Sequence, residues 1–104
     1  MPVKNTPKYT IVVPAYREEV IIESSLKALK NQLQKDGILM QTEVIVVTAD
    51  PSSDKTAAIA KKQGIQFAYF SLLTPESKVG KGRDVRAGML AAKGDYVLFT
   101  DADM

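Results

Sequence analysis

Short apolar runs alternate with segments of helical periodicity along the whole chain, and this alternation restricts the fold more than any other feature. The apolar runs predict four strands, at Tyr9–Val13, Glu43–Val47, Ile65–Leu73 and Asp95–Thr100. Pro14 would end the first strand, and the second and fourth strands have the composition of buried strands. Strands that alternate with helices through short connections predict an α/β fold, a Rossmann-like βαβαβαβ parallel sheet with helices on both faces.

Helical spacing of apolar residues predicts three helices between these strands, at Glu18–Lys35, from a cap at Ser53 or Asp54 to about Gln63, and at Arg83–Lys93. Glycines at positions 37, 64 and 94 would end them. In the first helix the core-facing residues are expected to be Ile22, Leu26, Leu29 and Leu33. In the third helix the residues expected to face the sheet are Val85, Gly88, Met89 and Ala92.

Length and composition exclude several classes of protein. A chain of 104 residues forms at most one domain, and its net charge of +2 without a basic run gives no indication of nucleic acid binding. The absence of cysteine and histidine excludes disulfides, thiolate metal sites and histidine-based catalysis within this chain. No apolar stretch is long enough to span a membrane.

Two carboxylates, Asp101 and Asp103, directly follow the predicted fourth strand. Ligand crevices of open α/β sheets lie outside the carboxyl ends of the strands, so these acids are expected at such a crevice. Hard oxygen ligands suit Mg²⁺ or Mn²⁺, and such ions commonly bridge protein carboxylates to substrate phosphates. The alternative for an Asp-x-Asp considered by itself is a solvated turn.

The other three strand-to-helix loops carry polar groups that would converge on the same edge, a pattern that favours a nucleotide diphosphate site. Tyr16 could flank a base or ribose, and Asp50 could accept a hydrogen bond from a base. Lys81 and either Arg83 or Arg86 could meet phosphate charge. Considered singly, each has a structural alternative: a partly buried aromatic, a turn or cap residue, and an exposed flexible loop.

Four segments, taken together, resemble the family 2 inverting glycosyltransferases of the GT-A fold. The segments run over 11–19 (IVVPAYREE), 46–56 (VVTADPSSDKT), 80–89 (GKGRDVRAGM) and 94–103 (GDYVLFTDAD). Within the family they are most similar to the polyprenyl-phosphate (dolichyl-phosphate) mannosyl- and glucosyltransferases. The usual Asp-Asp-Gly-Ser is replaced here by Ala49-Asp50-Pro51-Ser52, although proline still suits the turn.

The resemblance implies the sheet order 3-2-1-4 and transfer of a hexose, with inversion, from a UDP- or GDP-sugar to an acceptor such as a membrane polyprenyl phosphate. The nucleotide-binding residues that it implies are Pro14, Ala15, Tyr16, Glu18, Asp50, Lys81, Arg86 and Asp101. It also implies that Asp101 and Asp103 hold Mg²⁺ or Mn²⁺, with Asp103 the more direct ligand. The expected location is the cytoplasm, at the membrane surface.

In the family the acceptor half follows the Asp-x-Asp, so residues 1–104 are expected to form a single, truncated nucleotide-sugar-binding subdomain with an uncovered edge at strand four. Catalytic residues cannot be assigned, and a second chain is one candidate source of the missing half. The alternative function is a non-catalytic nucleotide-binding module or an inactive fragment of such an enzyme. A receiver-like regulatory domain is disfavoured, because Leu72-Leu73-Thr74 occupies the position of its phosphoacceptor aspartate.

Overall fold

The computed structural model describes residues 6–15, 20–48, 55–74 and 88–100, which contain a four-stranded parallel sheet. In chain order the elements are β1 (Tyr9–Ala15), α1 (Ile22–Lys35), β2 (Thr42–Thr48), α2 (Thr56–Gln63), β3 (Tyr69–Leu73) and β4 (Tyr96–Phe99). Short 3₁₀ turns at Leu39–Gln41 and Gly64–Gln66 precede β2 and β3, and residues 88–91 are helical. The strand order is β3-β2-β1-β4 with every pair parallel, which confirms the predicted fold class and strand order.

The first strand continues through Pro14, which was predicted to end it. Pro14 pairs with Val47 of β2, and Ala15 pairs with Thr48. On the other side of β1, pairing with β4 stops at Val12 and Phe99. Backbone groups of alternate residues in a strand point to opposite neighbours, and the Val12 carbonyl accepts from β4, so the N–H that proline lacks would point beyond the end of β4. Proline at this position therefore removes no hydrogen bond from the four residue pairs that join β1 to β4.

The predicted starts of two other elements were also wrong. The third strand was expected from Ile65, but Gly64–Gln66 form a 3₁₀ turn and β3 begins at Tyr69. Ile65 is exposed, so its apolar side chain does not mark a strand position. The first helix was expected from Glu18 but begins at Ile22; residues 16–19, like the proposed capping residues 53 and 54 of α2, lie outside the described part of the chain.

One face of the sheet is covered by α1 and α2. The predicted core residues of α1 are all buried, as are the facing strand residues Ile11, Val13, Val44 and Val46. The helix ends in a Schellman motif, in which the amides of Gly37 and Ile38 donate to the carbonyls of Gln34 and Leu33, at 3.1 and 3.0 Å. Gly37 has the positive φ of 76° that this ending requires, which explains why the helix stops there.

The other face is covered by the segment that leads into β4. Val12, Ile45 and Val47 form its buried centre, and Ala91 and Ala92 pack on them. Gly88 is buried here as predicted, whereas Met89, also predicted to face the sheet, is 49% exposed. With α1 and α2 on the opposite face, the expectation of helices on both faces is confirmed.

The fourth strand lies at the sheet edge and is much less buried than its sequence predicted. Tyr96 and Leu98 are each 60% exposed and Phe99 is 63% exposed, whereas every residue of β2 is buried. The expectation of an uncovered edge at strand four is therefore met within the described residues, and the expectation of a buried strand is not. Side-chain packing therefore contributes little to holding β4 in the sheet.

Replacement of Gly88 by alanine is expected to destabilise the fold by about 1–3 kcal/mol, because the new Cβ would overlap Cγ1 of Val12. Val12 is fully buried and its branched side chain has little rotamer freedom. The added Val12→Ala change should recover part of that loss, since it removes the methyl groups that clash. Urea denaturation of the two single variants and the double variant measures this coupling; strictly additive losses would contradict the contact.

Candidate functional site

The carboxyl ends of the strands lie along one edge of the sheet, as the prediction of a converging site requires. Ala15, the last residue of β1, pairs with Thr48, the last residue of β2, and Leu73 at the end of β3 pairs with Val47. Neighbouring strands lie about 4.8 Å apart, so the loops that begin at residues 16 and 49 start side by side. These are the loops that contain Tyr16, Glu18 and Asp50.

The segment with the two carboxylates begins beside β1. Phe99 pairs with Val12, and the amide of Thr100 donates to the Val12 carbonyl at 2.9 Å. Thr100, the residue before Asp101, is thus hydrogen-bonded to β1, the strand that ends one residue before Tyr16. The central position of β1 brings the first and fourth motifs together, although they are far apart in sequence.

Pro14 and Ala15 are the two predicted nucleotide-binding residues that the structure describes. Both are buried at the carboxyl end of β1, and the Ala15 side chain packs in the core on the α1 face. This burial favours a role in setting where β1 delivers the next residues. The remaining predicted site residues lie outside the described part of the chain, so their roles stay predictions; they are Tyr16, Glu18, Asp50, Lys81, Arg86, Asp101 and Asp103.

The two predicted metal ligands, Asp101 and Asp103, lie beyond the described ranges. In residues 6–15, 20–48, 55–74 and 88–100, no group of three acidic side chains is arranged to hold a metal ion. The donor set that the sequence offers, the carboxylates of Asp101 and Asp103, fits Mg²⁺ or Mn²⁺ because both prefer hard oxygen ligands. Two carboxylates would supply only some of the oxygen ligands that such an ion takes, so phosphate oxygens and water would supply the others.

The opposite, amino-terminal edge of the sheet contains a buried polar cluster that the sequence analysis missed. The Thr10 hydroxyl donates to Oε1 of Glu43 at 2.8 Å, and Thr10 and Glu43 are register partners on β1 and β2. Oε1 of Glu43 also accepts from the amide of Lys93 at 2.9 Å, and Thr10 Oγ1 accepts from the amide of Gly94 at 2.8 Å. The available signal was a glutamate and a threonine, each followed by a run of β-branched residues.

The helices of the described residues are all too short or too polar to cross a bilayer.

Comparison with known proteins agrees with this geometry. The family model described as Glycosyl transferase family 2 matches residues 10–104. A dolichyl-phosphate beta-glucosyltransferase of Trichomonas vaginalis is 35% identical over 98 residues, which cover 90% of this chain and 29% of that protein. The chain therefore spans less than a third of the length of that curated relative.

Two solved structures share the fold. The crystal structure of residues 1–349 of S. aureus TarS superposes with a TM-score of 0.80 and 30% identity, covering 92% of this chain and 27% of that solved chain. The mannosyltransferase PcManGT from Pyrobaculum calidifontis, solved in complex with GDP-Man and Mn²⁺, superposes with a TM-score of 0.77 and 27% identity, covering 96% of this chain and 28% of its own. The family match over nearly the whole chain, the parallel sheet of order 3-2-1-4 and these neighbours establish that the chain belongs to glycosyltransferase family 2 and has the GT-A type of fold.

Proposed function

We propose that residues 1–104 form the nucleotide-sugar-binding subdomain of an inverting glycosyltransferase that moves a hexose from a UDP- or GDP-sugar to a polyprenyl phosphate. The observation that carries this proposal is the position of β1 between β2 and β4, with all strands parallel. Each of the four motif segments follows the carboxyl end of a strand or contains that end, which supports a common site at that edge of the sheet.

In this proposal the loops after β1 and β2 bind the nucleoside. Tyr16 would pack against the base or ribose, and Asp50 would accept a hydrogen bond from a base N–H. The paired ends of the two strands, Ala15 and Thr48, support this division because they start both loops at the same level of the sheet. Lys81 and Arg86, which follow β3 in the chain, would bind the diphosphate through charge-assisted hydrogen bonds.

Asp101 and Asp103 would hold the divalent cation. The ion supplies positive charge that neutralises the diphosphate and so makes it a better leaving group. The complex of PcManGT with GDP-Man and Mn²⁺ supports a metal-assisted nucleotide site here. Tyr16 and Asp50 suit either base, so the proposed nucleotide is UDP or GDP.

The proposed acceptor is an anionic lipid phosphate at the membrane surface. The similarity to the dolichyl-phosphate beta-glucosyltransferase of Trichomonas vaginalis supports this acceptor. In an inverting displacement the acceptor oxygen attacks the anomeric carbon while the nucleotide diphosphate leaves from the opposite side. A phosphate acceptor is already anionic at neutral pH and needs no general base for activation. The acceptor-binding half would come from outside these 104 residues, for which a second chain is one source.

Calorimetric titration of the chain with UDP and GDP, each with and without Mn²⁺, tests the proposal. We expect one nucleotide to bind more tightly when Mn²⁺ is present. Asp103→Asn should weaken that binding by about tenfold or more, because it removes a charged ligand from the cation. Asp95→Asn is the matched control: it makes the same chemical change at the amino end of β4, in an exposed residue, and should leave binding unchanged.

Failure of both nucleotides to bind a folded chain, with or without Mn²⁺, would overturn the proposal. Binding that ignores Mn²⁺ and the Asp103→Asn change would overturn the metal assignment alone. Sugar transfer to polyprenyl phosphate by the 104-residue chain itself would exclude the alternative, a non-catalytic nucleotide-binding module.

A further inference from the structure

The polar cluster at the amino-terminal edge joins three segments that are distant in sequence. Glu43 is only 4% exposed and Thr10 is fully buried, so folding removes both side chains from water. Hydrogen bonds within the protein must replace those lost to water. Glu43 accepts from Thr10 and from the amide of Lys93, while Thr10 accepts from the amide of Gly94. The two side chains therefore fix the backbone at residues 93 and 94, directly before β4.

Backbone contacts also hold the chain at residues 94 to 96, where it enters β4. The amides of Asp95 and Tyr96 both donate to the Lys8 carbonyl, at 2.8 and 3.1 Å. A Cβ added to Gly94 would lie 2.6 Å from the carbonyl carbon of Tyr9, so the backbone at Gly94 is in close contact with β1. The entry to β4 therefore has partners outside the ladder. Beyond it, β4 is held by its ladder with β1 and by little side-chain packing, because three of its four side chains are about 60% exposed or more.

The ladder hydrogen bonds between two parallel strands can form in more than one register, so contacts outside the ladder decide which register β4 takes along β1. Slippage of β4 by one residue along β1 would move everything that follows it by about 3.3 Å. Ligand distances in metal sites vary by only about 0.2 Å, so such a shift would separate the carboxylates after β4 from the loops after β1 and β2. The buried cluster lies about 17 Å from the carboxyl end of β1, counted as five residues of strand from Thr10 to Ala15.

We propose that Thr10 and Glu43 are positioning residues, whose hydrogen bonds to the backbone at 93 and 94 set the register of β4 and thereby the position of Asp101 and Asp103. This rests on the proposed function for the role of the two carboxylates, but the control of register does not depend on it. The pair would act through the backbone, from the opposite end of the sheet, and would touch neither nucleotide nor metal.

The Thr10→Val variant tests the proposal, because it preserves the shape of the side chain and removes the hydroxyl. We expect amide hydrogen exchange at Thr100, the far end of β4, to become about tenfold faster, with exchange in β2 unchanged. The Mn²⁺-dependent gain in nucleotide affinity should also fall about tenfold, while the affinity measured without metal stays the same. Thr10→Ser keeps the hydroxyl and should restore both values.

Val44→Ala is the matched control for a purely structural effect. Val44 follows Glu43 in β2 but is buried on the opposite face, against α1. Truncation of the Val44 side chain should accelerate amide hydrogen exchange throughout the sheet by one common factor. It should leave the Mn²⁺-dependent gain in nucleotide affinity unchanged in the folded protein. If Thr10→Val behaves in the same way as Val44→Ala, or changes neither quantity, the proposal is wrong.

Two further outcomes remain informative. If Thr10→Val does not fold, Thr10→Ala removes the hydroxyl without the valine methyl groups, and the same two measurements apply to it. If the unmodified chain binds no nucleotide, the proposed function fails, and the exchange at Thr100 alone then decides whether Thr10 and Glu43 set the register of β4.

Discussion

Gly94→Ala is expected to destabilise the protein by about 3 kcal/mol, at the upper end of what overpacking costs. The new Cβ would lie 2.6 Å from the carbonyl carbon of Tyr9 and 2.7 Å from the backbone nitrogen of Thr10. Backbone atoms inside a sheet cannot rotate out of the way as a side chain can. Relief would require β4 to move away from β1, with loss of the hydrogen bonds that the backbone amides of residues 94 to 96 donate.

Urea denaturation followed by far-UV circular dichroism measures this loss, and Gly37→Ala provides the control. A Cβ at Gly37 would meet no atom within 4 Å, so only the positive φ of 76° opposes it, at a cost of about 1–2 kcal/mol. The comparison of the two variants separates a steric requirement for glycine, at position 94, from a conformational one, at position 37. Equal losses for the two variants would contradict the close approach of Gly94 to β1.

Leu26→Ala is expected to cost about 2–5 kcal/mol, because it opens a cavity where α1 packs on the sheet. Leu26 is 1% exposed and belongs to the core cluster with Ile11, Val44 and Val46. Domains of this size are commonly stable by only about 5–15 kcal/mol, so the change would remove a large share of the total. The midpoint of urea denaturation should fall while its slope stays constant.

Lys27→Ala, one residue further along the same helix, is the matched control. Lys27 pairs with Glu23 at 3.0 Å, but both side chains are more than half exposed, at 54% and 53%. Exposed pairs of this spacing contribute about 0.3–0.5 kcal/mol, so the midpoint should move only slightly. A loss as large as that of Leu26→Ala would show that α1 presents a different face to the sheet.

The first helix and the strand order show how far sequence patterns extend. Ile22, Leu26, Leu29 and Leu33 repeat at the spacing of one helix face, and a long repeat of this kind determines its buried side without reference to the rest of the chain. The resemblance carried the strand order 3-2-1-4, and the register of the pairs agrees with it. Gly37 marked the end of α1 because few other residues adopt its positive φ.

Local patterns gave wrong results where the decision depends on distant neighbours. The segment before β4 was expected to bury both Met89 and Ala92; Ala92 does pack on the sheet, together with Ala91, but Met89 is 49% exposed. β4 has the composition of an interior strand, yet among the described residues it has a neighbour on only one side. Whether an apolar strand is covered depends on what packs against it, and a four-residue pattern contains no information on that point.

The candidate site shows the same division. The sequence by itself determined which chemistry is available, an Asp-x-Asp after an apolar strand and polar loops after the others, because residue types fix the ligands and charges. Only the tertiary structure decided that β1 lies between β2 and β4, and that Thr10 and Glu43, 33 residues apart, bind each other and the backbone before β4. The physical reason is that hydrogen bonds between distant residues depend on register, which is set by the packed sheet as a whole.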